Sequence, residues 1–102
     1  MATYMSREGR EQDILKFLHR NWLMNEQRVS VGEYARFVGI SKSPHLRNIF
    51  ASMFDHGLVE MIAENYRATV VYVFKPNYEH ISKFYPQIKA ILTDMGWQEQ
   101  LL

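Results

Sequence analysis

The sequence contains no cysteine, which excludes disulfides, thiolate metal sites and thiol catalysis. Long apolar runs are also absent: the longest, residues 70–74, falls far short of the roughly 20 residues that span a bilayer. The first residues, MATYMSREGREQ, lack the apolar segment of a secretory signal. We therefore expect a soluble cytoplasmic protein with no membrane partner, and 102 residues suit one domain.

Acidic residues are missing from the middle of the chain, between Glu33 and Asp55. The whole sequence has 11 acidic residues against 12 lysines and arginines, so this stretch departs from the average. Arg36, Lys42 and Arg47 lie within it. A face that keeps basic residues and excludes acidic ones can lie against a phosphate backbone.

Motifs for catalysis or cofactor binding are not found. The four histidines lack the spacing of metal ligands, and the five glycines are isolated, so there is no Gly-rich phosphate loop. We predict no catalytic residue, no metal, no cofactor and no enzymatic activity. The aromatic residues can line a pocket for a small-molecule effector or pack in the core, and the sequence favours core packing.

Helix signals follow one another along the first half of the chain. After a flexible tail of residues 1–7, apolar residues recur at helical spacing over residues 8–22. Ser30 and Glu33 match a capping box at the start of a second helix, and Gly39 suits the left-handed position that ends it.

A third helix is capped by either Ser41 or Ser43, with Pro44 in its first turn. Two β-rich runs, residues 58–63 and 69–74, follow as a hairpin joined by residues 64–68, and the apolar second run predicts cover on both faces. The apolar positions of the third helix, assigned to the core, are Leu46, Ile49, Phe50 and Met53.

The last segment, residues 77–102, predicts a helix capped by Asn77. Pro86 either kinks this helix or starts another one. Its apolar stripe either packs on the same chain or pairs with its copy in a dimer, and the late residues Trp97, Leu101 and Leu102 favour the dimer. The predicted dimerisation residues are Ile81, Phe84, Tyr85, Ile88, Ile91, Leu92 and Met95.

This order of elements resembles the winged helix-turn-helix superfamily over residues 8–76. VSVGEYARFVGISKS is similar to the second helix and turn of that superfamily, and SPHLRNIFASMFDHGLVE to its recognition helix. The resemblance is greatest to small prokaryotic or phage regulators. A phage protein of this kind would be located in the cytoplasm of the host cell. It implies an α+β winged helix-turn-helix with an added C-terminal helix, in a homodimeric transcriptional regulator that binds specific sequences of double-stranded DNA.

In that superfamily the N-terminal residues of the recognition helix touch base edges in the major groove. The resemblance therefore assigns Arg47 and Asn48 to base reading, because Arg and Asn can form paired hydrogen bonds with guanine and adenine. Arg36 suits the DNA backbone, and Arg67 a phosphate or the minor groove. The full set of implied DNA contacts is Arg36, Ser41, Lys42, Ser43, His45, Arg47, Asn48, Ser52, Asn65, Tyr66 and Arg67.

The alternative is a winged-helix protein–protein adaptor that does not bind DNA. An exposed apolar patch around Ala51 and Phe54 would favour the adaptor. A positive stripe formed by Lys42, Arg47 and Arg67 would favour DNA.

Overall fold

The computed structural model describes residues 5–98 and has an α+β fold, as predicted. That part of the chain forms five helices and one antiparallel sheet of three strands. None of these helices is both long enough and apolar enough to cross a membrane. The elements are α1 (Arg7–Asn25), β1 (Val29–Ser30), α2 (Val31–Val38), α3 (Pro44–Asp55), β2 (Val59–Tyr66), β3 (Thr69–Pro76), α4 (Tyr78–Phe84) and α5 (Pro86–Asp94).

The predicted helix caps of α2 and α3 are confirmed. The Ser30 hydroxyl accepts the N–H of Glu33 at 3.1 Å, and the Glu33 carboxylate accepts the N–H of Ser30 at 3.0 Å, which completes the capping box. Gly39 ends α2 with φ +76°. Of the two candidates for the next cap, Ser43 is the one used, with Pro44 as the first residue of α3.

Predictions for the two chain ends fall partly outside the described residues. Residues 1–4 of the predicted tail lie there, as do Leu101 and Leu102. The predicted tail is too long at its C-terminal end, because Ser6 caps α1 and Arg7 is already helical.

Of the two alternatives predicted at Pro86, the start of another helix is confirmed, so the segment after residue 77 forms two helices that meet at Tyr85. A residue before proline avoids helical geometry, and Tyr85 has φ −132° and ψ 69° while Pro86 starts α5. Asn77 caps α4 as predicted. Ile81 and Leu92, both assigned to the dimer stripe, are fully buried within one chain and offer no surface to a partner.

The hairpin is longer and its turn tighter than predicted. β2 and β3 pair as far as Tyr66 and Thr69, so only Arg67 and Ala68 form the turn instead of residues 64–68. Arg67 has φ +55°, the positive φ that the first position of a tight two-residue hairpin turn adopts. Pairing with β3 extends β2 through polar residues that strands usually avoid.

Cover on both faces of β3, as predicted, is present only at the base of the hairpin. Val73 and Phe74 point to opposite faces and are both buried. Val70 and Tyr72, nearer the turn, are 51% and 52% exposed. β1 pairs with β3 only beside the base, in the sheet order β1-β3-β2, so the hairpin tip projects into solvent.

The core lies between α1, α3 and the base of the sheet, and α4 and α5 close it. The ring of Phe50 contacts the ring of Phe74 with centroids 4.9 Å apart, which joins α3 to β3. The predicted apolar row of α3 is buried in this core: Leu46, Ile49, Phe50 and Met53.

His19 is a buried polar side chain that joins α1 to the C-terminal helices. It is 1% exposed, and its Nε2 lies 3.2 Å from the carbonyl oxygen of Met95. Because a carbonyl only accepts, Nε2 carries the proton, and Nδ1 accepts from the Tyr78 hydroxyl at 2.7 Å. Burial, with a smaller contribution from the charge of Arg20, lowers the pKa of His19 although the Met95 carbonyl opposes this.

We expect the free energy of unfolding to fall as the pH drops below about 6.5, where the His19 of the unfolded chain gains a proton that the folded chain resists. Urea unfolding across a pH series measures this. The variant His19→Gln should lose that part of the pH dependence, whereas His45→Gln, at an exposed position, should keep it. Equal pH dependence in wild type and His19→Gln would contradict the assignment.

Candidate nucleic-acid interface

The exposed face of α3 follows from how completely its other face is buried. The four core residues of the helix occupy one side, so the side chains between them point to solvent. His45, Arg47 and Asn48 are all exposed on the N-terminal half of this face. Ser52 is half-buried, and its hydroxyl lies 3.4 Å from Nδ1 of His56, so it belongs partly to the end of the helix.

The basic residues of the predicted interface have no acidic partner in the part of the chain that the structure describes. Among residues 5–98, no carboxylate lies within 4.0 Å of the charged groups of Arg36, Lys42, Arg47 or Arg67. These charges are therefore not used in the ion pairs of the fold. They remain available to phosphates.

Lys42 lies in the loop before α3 and not on the helix itself. A Cβ added at Gly32 would lie 3.5 Å from Cδ and 3.9 Å from Nζ of Lys42, so this side chain crosses the first turn of α2. Ser41 is exposed in the same loop and forms no hydrogen bond within the described part of the chain. The loop that leads into α3 thus places one cation beside the start of α2.

The predicted hairpin contacts do not share one face. Neighbouring residues of a strand point to opposite sides, so Asn65 faces away from Tyr66. Tyr66 is 67% exposed, and Arg67 occupies the turn itself. At most two of the three predicted side chains can therefore meet a single surface.

Arg36 and Tyr66 line a groove of about 580 Å³ between α2 and the hairpin. Glu26, Glu33 and Glu64 also line it, which gives this groove mixed charge. A phosphate is consequently less favoured here than beside α3.

Arg28 lines the same groove and was not predicted from the sequence. Its guanidinium lies 5.4 Å from the Trp22 ring centroid, and its Nε is buried with no hydrogen-bond partner among the described residues. The residues that join it in the groove are distant in sequence, so no local pattern indicated this position.

Tyr34 fixes α2 and α3 against α1. Its hydroxyl donates to Asp13 at 2.5 Å and accepts from Arg10 at 3.1 Å. Burial, helped by the Asp13 carboxylate, raises the pKa of Tyr34 to about 12, so the hydroxyl stays protonated. The exposed face of α3 is thereby held in one orientation.

The apolar patch that would favour an adaptor is also partly present. Phe54 is 42% exposed, and Ala51 is exposed one turn earlier on the same helix. The C-terminal half of the α3 face is therefore more apolar than the half that carries Arg47 and Asn48.

Comparisons with known proteins identify no family. No family model matches the sequence, and no curated protein is significantly similar to it. Residues 5–98 also contain no group of three or more histidine, aspartate or glutamate side chains placed to hold a metal ion.

We expect Ser43→Ala to lower the free energy of unfolding by about 0.5–2 kcal/mol, because the Ser43 hydroxyl accepts the N–H of Leu46 at 3.2 Å. Ser41→Ala is the matched control and should change stability by less than about 0.5 kcal/mol. Urea unfolding of both variants measures the difference. Equal stability of the two variants would mean that the Ser43 cap does not stabilise α3.

Proposed function

We propose that the protein is a winged helix-turn-helix transcriptional regulator that binds specific sequences of double-stranded DNA as a homodimer. In this proposal α3 enters the major groove and the β2–β3 hairpin is the wing that contacts the backbone or minor groove. His45, Arg47 and Asn48 face the bases, while Lys42 and Arg67 neutralise phosphates.

One observation carries this proposal: the solvent face of α3 bears Arg47 and Asn48, and no acidic residue lies in the chain between Glu33, in the first turn of α2, and Asp55. The fold does not use these side chains, since neither is buried nor ion-paired among the described residues. The order of helices and strands is compatible with a winged-helix arrangement. Fold resemblance alone does not establish function, so the argument rests on this face.

A protein–protein adaptor is the second candidate, and the exposure of Phe54 and Ala51 favours it. Exposed aromatic side chains are typical anchors of protein interfaces. The two candidates differ in the part of α3 they use: the N-terminal half for DNA, the C-terminal half for a protein.

Affinity for DNA should depend steeply on salt. If each subunit makes about three or four phosphate contacts, a dimer should give a log–log slope of roughly −5 to −7. Titration of labelled duplexes across a salt series measures the slope, after selection from random DNA has identified the preferred sequence. Binding that is insensitive to salt, or no binding at low salt, would overturn the DNA proposal and favour the adaptor.

Arg47→Ala and Arg67→Ala should weaken DNA binding in different ways. Arg47→Ala should cost about 1–3 kcal/mol on the preferred sequence and little on random DNA, because it removes a base contact. Arg67→Ala should weaken all sequences alike and reduce the salt slope by about one per subunit. Arg20→Ala, which removes an exposed charge on α1, is the control and should change neither property. The reverse pattern would mean that the two roles are exchanged.

A further inference from the structure

An apolar cleft of about 680 Å³ lies between the first half of α1 and the corner where α4 meets α5. None of the predicted DNA contacts lines it. The apolar residues that line it are Leu15, Leu58, Phe84, Tyr85, Pro86, Ile88 and Ile91. Four of these seven, Phe84, Tyr85, Ile88 and Ile91, belong to the predicted dimerisation stripe, so most of its accessible members converge on this cleft.

Phe84 stands at the edge of the cleft as an exposed aromatic side chain. It is 63% exposed, yet its ring packs on the imidazole of His80 with centroids 4.6 Å apart. The hydroxyl of Tyr85 donates to the carbonyl oxygen of His56 at 2.9 Å, which ties the corner to the end of α3. Because these contacts hold the corner in place, a partner would bind it at little cost in conformational entropy.

The same surface therefore carries both a projection and a hollow. A two-fold interface must be self-complementary, because each subunit presents the identical patch to the other, and a projection beside a hollow meets this condition. An aromatic ring fits within a cleft of this volume. Phe84 of each subunit can then fill the cleft of the other subunit.

The charges on the cleft and beside Phe84 are opposite in sign, as two copies related by a two-fold axis would need. Glu8 and Glu11 line it from α1, and Arg7, the one lysine or arginine among the described residues that line it, has its Nε 3.5 Å from the Glu11 carboxylate. Lys83 precedes Phe84 and is largely exposed, with only a weak surface pair to Glu79 at 3.7 Å. Lys83 therefore carries a positive charge next to Phe84, opposite in sign to Glu8 and Glu11 of the cleft.

We propose that this cleft is the interface of a two-fold homodimer, in which Phe84 of each subunit enters the cleft of the other and Lys83 pairs with Glu8 across the boundary. The inference rests on the proposed function for the existence of a homodimer and specifies its surface. A truncation after residue 77 is not a suitable test of this interface, because it would also remove Ile81 and Leu92 from the core.

Sedimentation of the intact chain tests the interface with a matched pair of variants. Phe84→Ala should weaken the dimer roughly 30-fold or more, as expected for a central aromatic anchor. Phe37→Ala removes a phenylalanine of similar exposure, 64%, on α2 and should leave association unchanged. Circular dichroism of both variants is the control for folding. A monomeric wild-type chain, or equal weakening by both variants, would overturn the interface.

A charge exchange tests the pairing of subunits directly. Glu8→Lys and Lys83→Glu should each weaken association, because each places like charges together, and the double variant should recover it. Recovery would show that the two residues pair, because two separate folding defects would not rescue each other. Failure of the double variant to recover would overturn the proposed arrangement.

DNA binding, measured on the same samples, separates this inference from the proposed function. A dimer that depends on Phe84 but binds no DNA would support the interface and overturn the DNA proposal. A monomer that binds DNA with about half the expected salt slope would overturn the interface and leave DNA binding intact.

Discussion

Tyr34 occupies the point where three helices meet, and the placement of α3 depends on it. Its side chain is fully buried, with ring centroids 5.5 Å from Phe17 of α1 and 5.8 Å from Phe50 of α3. A buried hydroxyl without a partner would cost about 1–3 kcal/mol, and Asp13 and Arg10 of α1 prevent this. α2 has only eight residues and is too short to be stable alone, so its position comes from these contacts.

This packing also decides which predicted side chains are free to bind a ligand. α3 places all its large apolar residues except Phe54 in the core. Ser43 caps the helix and the Ser52 hydroxyl approaches His56, so both have structural roles that a mutation would disturb whatever the protein binds. Arg47 and Asn48 have no such role within the described residues. Substitutions at those two positions therefore report on binding rather than on folding.

Structure was predictable from the sequence where the interaction is local. Ser30 and Glu33 are three residues apart and hydrogen-bond each other, so their spacing alone identified the capping box. Pro44 suits the first turn of α3 because the N–H that proline lacks has no partner there, so the residue type alone identified the start of that helix. Ile81 and Leu92 were wrongly assigned to the dimer stripe, because helical spacing cannot show which side chains the rest of the chain covers. The groove at Arg28 and the cleft at Phe84 join residues distant in sequence, so tertiary packing had to be known first.

The C-terminal end of α3 connects the two proposed surfaces. The Tyr85 hydroxyl bonds the carbonyl of His56, which caps α3, and a Cβ added at Gly57 would overlap the imidazole of His80. Gly57 also has φ +76°, so this contact and this backbone geometry both require glycine. α4 and α5 have seven and nine residues, and their corner is positioned by these contacts rather than by helix length. A dimer formed through that corner would therefore hold its two α3 helices at a defined separation, which a reader of two DNA half-sites about 34 Å apart needs.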